Sequence, residues 1–226
     1  MIKNNKGSLI VISGIDGSGK QTQLNLLYDK LKKDGYKVMT VDFPQYGKKS
    51  AGLVEEYLNG KYGSPDNVGP YGASIFYAVD RYDASFEMKK WLSSGGIILS
   101  NRYVSGNKGH QGGKISDLKE RDKFFKWLDN LEYNIFGIPK EDINIFLKVD
   151  PKISQSLIDK KAKRQYTDKK RDIHEQNINH LQKSLESYEY IAKRDGWLII
   201  DCVKENKILP KNIIHDMIYK EVKKYI

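Results

Sequence analysis

Hydrophobic positions along the chain switch repeatedly between short continuous runs and helical spacings. Ser8–Ser13 (SLIVIS) is a continuous apolar run met at once by glycines, as in a strand buried on both faces. From Thr22 to Asp34, Leu24, Leu27 and Leu31 recur at helical spacing, and Gly35 ends the segment. Lys37 to Phe43 (KVMTVDF) reads as a second strand. Strand, glycine turn, helix and strand make a βαβ unit, which implies a parallel sheet with a right-handed crossover.

The alternation continues to the end. Helical patterns cover Gly52 to Asn59, Gly69 to Ser93, Asp117 to Phe136, Ile153 to Lys163, Arg171 to Lys193 and Leu209 to Tyr225. Gly96 to Ser100, Ile143 to Val149 and Trp197 to Asp201 supply three more strands. There is no internal repeat and no linker rich in Pro, Gly or Ser. The expectation is one domain over residues 1–226, an α/β three-layer sandwich of the P-loop NTPase type. A five-stranded parallel sheet would carry helices on both faces.

Composition narrows the class. The chain is 39% hydrophobic and 30% charged. No stretch approaches the roughly 20 apolar residues of a spanning helix. Met1 to Gly7 is polar and lacks the apolar core of a signal peptide. One cysteine, Cys202, excludes an internal disulfide, and a cytoplasmic location is expected. The net charge of +10 fits an anionic partner, but the basic residues are spread along the chain. Their one concentration runs from Lys160 to Arg171.

Candidate chemistry begins at Gly14–Ile15–Asp16–Gly17–Ser18–Gly19–Lys20–Gln21–Thr22, between the first strand and the first helix. Glycines at GxxxxGK spacing let several N–H groups face one anion, and the helix N-terminus adds partial positive charge. Lys20 can reach the β- and γ-phosphates of ATP. A plain structural turn does not explain a lysine after the last glycine. Gln21 stands where Ser or Thr usually approaches Mg²⁺, which phosphoryl transfer needs to neutralise phosphate charge. Its carbonyl oxygen, direct or through water, is one candidate ligand.

Asp16 inside this loop, Asp42 to Gly47 at the end of the second strand, Ser74 to Tyr82, and Ser100 to Gly112 after the third strand together resemble, with the loop, the thymidylate kinase family over nearly the whole chain. Asp16 matches a carboxylate that accepts the 3′-hydroxyl of dTMP. Gly17 matches members that draw a catalytic arginine from a lid. Phe43–Pro44–Gln45–Tyr46–Gly47 resembles the FPxYG segment lining the monophosphate pocket, with Gln45 where many members have arginine. Ser74 to Tyr82 resembles a helix whose aromatic, here Tyr77, stacks on thymine while Arg81 bonds the base edge. The i, i+4 spacing puts those two side chains on one face. Asn101–Arg102–Tyr103 through Gln111–Gly112 resembles DRYxxSxxAYQG. The resemblance implies that Arg102 clamps the dTMP phosphate and that Asn107 and Gln111 line the nucleotide. His110 replaces a common tyrosine. Asn101 replaces an aspartate credited with holding Mg²⁺ or its waters, so it joins Gln21 as a metal candidate.

The basic segment at about 160–175 is similar to the family's lid. Arg164 and Arg171 are its candidates for stabilising the transferring phosphoryl group. Asp172 and Glu175 resemble an RDxxE element facing the monophosphate. Cys202 to Lys207 falls where the family contacts adenine. The resemblance thus implies a homodimeric ATP:dTMP phosphotransferase that uses Mg²⁺. Two alternatives stay open: a kinase for another deoxynucleotide or deoxynucleoside, and a non-catalytic nucleotide- or nucleic-acid-binding protein. A DNA binder has no use for the Asp16, Tyr77, Arg81 and Arg102 features, which makes nucleic acid the weaker partner.

Overall fold

Successive residues of a strand point to opposite faces, and here both faces are covered. In the computed structural model, which describes residues 7–159 and 178–226, the first strand β1 is Ser8–Ser13. Ile10 and Ile12 enter one core, and Leu9 and Val11 enter another. The remaining strands of the sheet are β2 (Val38–Asp42), β3 (Ile97–Asn101), β4 (Ile143–Lys148) and β5 (Leu198–Asp201). Their spatial order is β2-β3-β1-β4-β5, with every pairing parallel. The order reverses beside β1, which opens a ligand crevice at the carboxyl ends of the strands.

Helix α1 (Lys20–Lys33) buries Leu24, Leu27 and Leu31 against the first face. The last helix brings Ile214, Ile218 and Val222 to the same core. The second face is covered by α3 (Pro65–Ser93) and by α5 (Leu118–Asp129), through Met88, Phe124, Phe125 and Leu128. α2 (Gly52–Leu58) precedes α3, and the short α4 (Val104–His110) lies between α3 and α5 in the chain. After β4 come α6 (Pro151–Asp159), α7 (Ile178–Arg194) and, last, α8 (Lys211–Val222).

Three features depart from the sequence expectation. α3 is broken at Gly69, whose φ of 69° and ψ of 169° separate a short segment capped by Ser64 from the main helix. The helix expected through Phe136 widens at Asn130–Ile135 into a π-helical stretch. α4 falls in a segment to which the sequence pattern assigns no helix, because a Gly-containing polar segment has no apolar period. Its glycine has a packing reason: a Cβ on Gly109 would lie 2.2 Å from the Tyr188 ring of α7. A further hairpin, Val203–Lys204 with Lys207–Ile208, turns through Glu205 and Asn206 at φ of 50° and 59°.

Candidate active site

The glycine turn leaves β1 through Gly14, Gly17 and Gly19, all at positive φ. Gly17 has a steric requirement of its own, since a Cβ there would meet the Ser154 carbonyl of α6 at 2.4 Å. α1 then starts at Lys20 with no acidic residue in its first turn, so nothing in that turn cancels its N-terminal charge. Lys20 is buried and donates to the Gly14 and Ile15 carbonyls at 3.0 and 2.7 Å, folding its amine over the loop. Ser18 lies buried with its hydroxyl unpartnered, and Thr22 is exposed on α1.

Arg102 follows β3 with φ 66°, a left-handed conformation costly for a side chain with a Cβ. Its N–H donates to Ile12 O at 3.1 Å, and the Ser100 hydroxyl donates to its carbonyl. This conformation turns the guanidinium toward the glycine loop. There it pairs with Asp16 and lies 3.1 Å from the His110 ring. Burial opposes the Asp16 charge, but Arg102, with His110 and Lys20, holds its carboxyl well below the usual range. Burial likewise opposes the Arg102 charge, and Asp16 outweighs it, raising the guanidinium pKa. Both groups are charged at any physiological pH.

Two cavities meet at this pair. The first, about 790 Å³ and partly open to solvent, is walled by Gly17, Gly19, Lys20, Gln21, Asp42 and Asn101. The second, about 560 Å³, is walled by Leu58, Tyr77, Arg81, Tyr103, Asn107 and Gln111, among others. Asp16, Phe43, Pro44, Tyr46 and Arg102 line both. The structure therefore brings Asp16, Phe43, Pro44, Tyr77, Arg81, Arg102, Asn107 and Gln111 to one hollow. Asn107 donates to Ser74 O at 3.2 Å, and Gln111 has a buried side-chain oxygen without a partner. Gln45 points elsewhere. It holds Asp80 through its backbone N–H at 2.8 Å and its amide at 3.1 Å. Arg164, Arg171, Asp172 and Glu175 lie outside the described residues.

Arg81 is not free to swing. Its Nε and one terminal nitrogen donate to the two Glu132 oxygens at 2.6 and 2.7 Å, with the two side chains 2% and 0% exposed. Glu132 comes from the π-helical stretch, and nothing in its sequence neighbourhood marks it. Leu58 was also missed, for the same reason. His180 of α7 stacks on His110 with ring centroids 5.6 Å apart, and burial, with Lys114, pushes its pKa down to about 4. Asp42, at the head of the segment ending β2, lines the loop cavity rather than the second one. Cys202 is buried, and burial, with Asp201, pushes its thiol up to about 12, leaving it inert.

The chain is similar to proteins already known. A model of the thymidylate kinase family matches residues 12–213. The thymidylate kinase of Mycobacterium tuberculosis (strain H37Rv) is 26% identical over 190 residues, spanning 84% of this chain and 87% of its own. That of Plasmodium falciparum is 26% identical over 219 residues, spanning 97% of this chain and 91% of its own. The solved structure of thymidylate kinase from Candida albicans shares the fold, with a TM-score of 0.75 at 20% identity over 97% of this chain and 92% of its own.

Proposed function

The chain belongs to the thymidylate kinase family and phosphorylates dTMP, and from that premise we propose which of its residues do so. ATP lies along the glycine turn, with the loop N–H groups and Lys20 on its phosphates. dTMP fills the second cavity, its base against Tyr77 with Arg81, Asn107 and Gln111 at the edge, its sugar at Asp16 and its phosphate at Arg102. One observation carries this reading: the two cavities share the Asp16–Arg102 wall. Two nucleotides placed there meet phosphate to phosphate. The acceptor oxygen is already anionic, so no strong base is needed, and positioning with fixed charge does the work.

Arg81 reads the base from a locked position, because Glu132 consumes the rotamer freedom of the guanidinium before substrate arrives. Lid arginines Arg164 and Arg171, with Asp172 and Glu175, would complete the phosphoryl site. Magnesium fits the loop cavity. Gln21 and Asn101 present hard amide oxygens there, and the Asn101 oxygen is buried without a partner. Among the described residues no three His, Cys, Asp or Glu side chains cluster as a metal site, so phosphate oxygens would complete the coordination. The ion would neutralise charge across the β- and γ-phosphate oxygens.

We further propose that the enzyme works in the cytoplasm as a homodimer. No described helix is long and apolar enough to cross a membrane. The outward face of α3 carries exposed Tyr71, Ile75, Val79, Tyr82 and Phe86 in one stripe.

A coupled ADP-release assay offering dTMP, dUMP, dGMP, UMP and thymidine with Mg·ATP tests the site. dTMP should give the highest kcat/KM, and Lys20→Ala should lower kcat by orders of magnitude. Faster turnover of thymidine than of dTMP would remove the phosphate-clamping role of Arg102. Near-normal turnover by Lys20→Ala would remove the role of the loop.

A further inference from the structure

The loop cavity carries an unusual set of donors for a divalent cation. Besides the cations Lys20 and Arg102 and the Tyr46 hydroxyl, the polar side chains that line it are two neutral amides, Gln21 and Asn101, and two carboxylates, Asp16 and Asp42. The amides are joined to each other, Asn101 Nδ2 donating to Gln21 Oε1 at 3.0 Å. Asp16 is committed to Arg102. Asp42 stands at the carboxyl end of β2, directly opposite Asn101 in the parallel register of β2 and β3. Among the described residues no Lys or Arg forms an ion pair with Asp42; burial opposes its charge, and the nearby Arg102 and Lys20 favour it. The Asn101 nitrogen is held by Gln21, and the Asn101 oxygen is left buried and unpartnered, 91% of the residue being out of solvent.

An unpaired buried acceptor costs free energy unless a ligand takes it up. A carboxylate and an amide oxygen side by side at the edge of a phosphate cradle suit a hard cation that prefers anionic oxygen. Backbone pairing places Asp42 beside Asn101. In adjacent parallel strands, paired residues project from the same sheet edge, so a carboxylate at the end of β2 reaches the same corner as one at the end of β3.

We propose that Asp42 supplies the carboxylate of the ATP-associated magnesium site in this chain, directly or through a bound water, with Asn101 as its neutral partner. This rests on the loop cavity being the ATP site, and the test separates the two. Mn²⁺, which replaces magnesium and is read by its electron paramagnetic resonance signal, is titrated into the protein saturated with a non-hydrolysable ATP analogue. Wild type, Asp42→Asn, Asn101→Asp and the double variant are compared. Affinity for the analogue in EDTA is measured alongside.

Asp42→Asn should weaken Mn²⁺ about 10–100-fold while leaving metal-free analogue binding within about twofold of wild type. Adding Asn101→Asp to Asp42→Asn should restore most of the lost affinity. Unchanged Mn²⁺ affinity in Asp42→Asn overturns the proposal, and so does a loss that Asn101→Asp fails to recover. A wild-type protein that binds neither the analogue nor its Mn²⁺ complex fails differently, because that outcome removes the ATP reading of the cavity itself.

Discussion

Lys114 shows what burial does to a charge beside this site. Its amine donates to the hydroxyl of the fully buried Tyr57 at 3.0 Å. Burial pushes its pKa down to about 8, with Asp66 opposing the shift. The unfolded chain holds this proton up to about pH 10.5, so between about 8 and 10.5 the unfolded state binds more protons than the folded one. Stability contributed by this group therefore rises with pH across that window, and below it the buried charge is a cost. Lys114→Met should raise stability at pH 7 by about 1–2 kcal/mol, the relief of desolvation less one lost hydrogen bond. The gain should shrink toward pH 10. Urea midpoints of both proteins at pH 7 and 10 check this, and a gain that grows with pH would contradict the assigned shift. Single residues of this kind are largely illegible in sequence. Gly14, Gly19 and Lys20 announce themselves because loop chemistry allows few substitutes. Lys114, Glu132 and Asp42 look like ordinary charges until the fold decides what surrounds them.

Elements were more legible than residues, and the reason is periodicity. All the strands of the main sheet match their sequence patterns to within a residue or two; β1, β3 and β4 do so because a strand buried on both faces must be continuously apolar, and the half-exposed edge strands β2 and β5 still carry short β-branched runs. α4 escaped because its seven residues carry Gly106 and Gly109 and no apolar period, being held by contact with α7. The π-helical stretch escaped because a widened turn leaves no compositional mark. That stretch has a consequence for the site, since it carries Glu132 beneath Arg81 on α3. Removing one member of a buried ion pair strands the other charge, which costs about 3–5 kcal/mol. Glu132→Ala should therefore lower stability by that amount, measured by the denaturation midpoint. In the folded fraction, KM for dTMP should rise while KM for ATP stays near wild type. Equal changes in both constants would mean that the pair supports the fold without positioning the base reader.

At the scale of the molecule, α3 serves two surfaces at once. Its inner face carries Tyr77 and Arg81 into the cavity proposed for dTMP, and its outer face carries the stripe from Tyr71 to Phe86. Tyr82 lies edge-on to Phe86 at 5.3 Å and packs on Phe136 at 5.1 Å, so the outer end of the stripe is an aromatic cluster with Phe86 55% exposed. Contiguous apolar surface of this kind on a soluble protein marks a contact site. A stripe along a single helix suits a two-fold pairing in which each copy presents the same face. The +10 charge does not oppose such a contact, because the stripe itself holds no Lys or Arg. Phe86→Glu places a carboxylate where an apolar partner would have to desolvate it. Sedimentation velocity should show wild type at twice the 26.0 kDa chain mass and Phe86→Glu at the single-chain mass. Because the same helix positions Tyr77 and Arg81, the single-chain form should also lose dTMP affinity while binding ATP normally. A Phe86→Glu protein that still sediments as wild type does would place the contact elsewhere. A monomer with unchanged dTMP affinity would show that the inner face of α3 holds its geometry without support from a second copy.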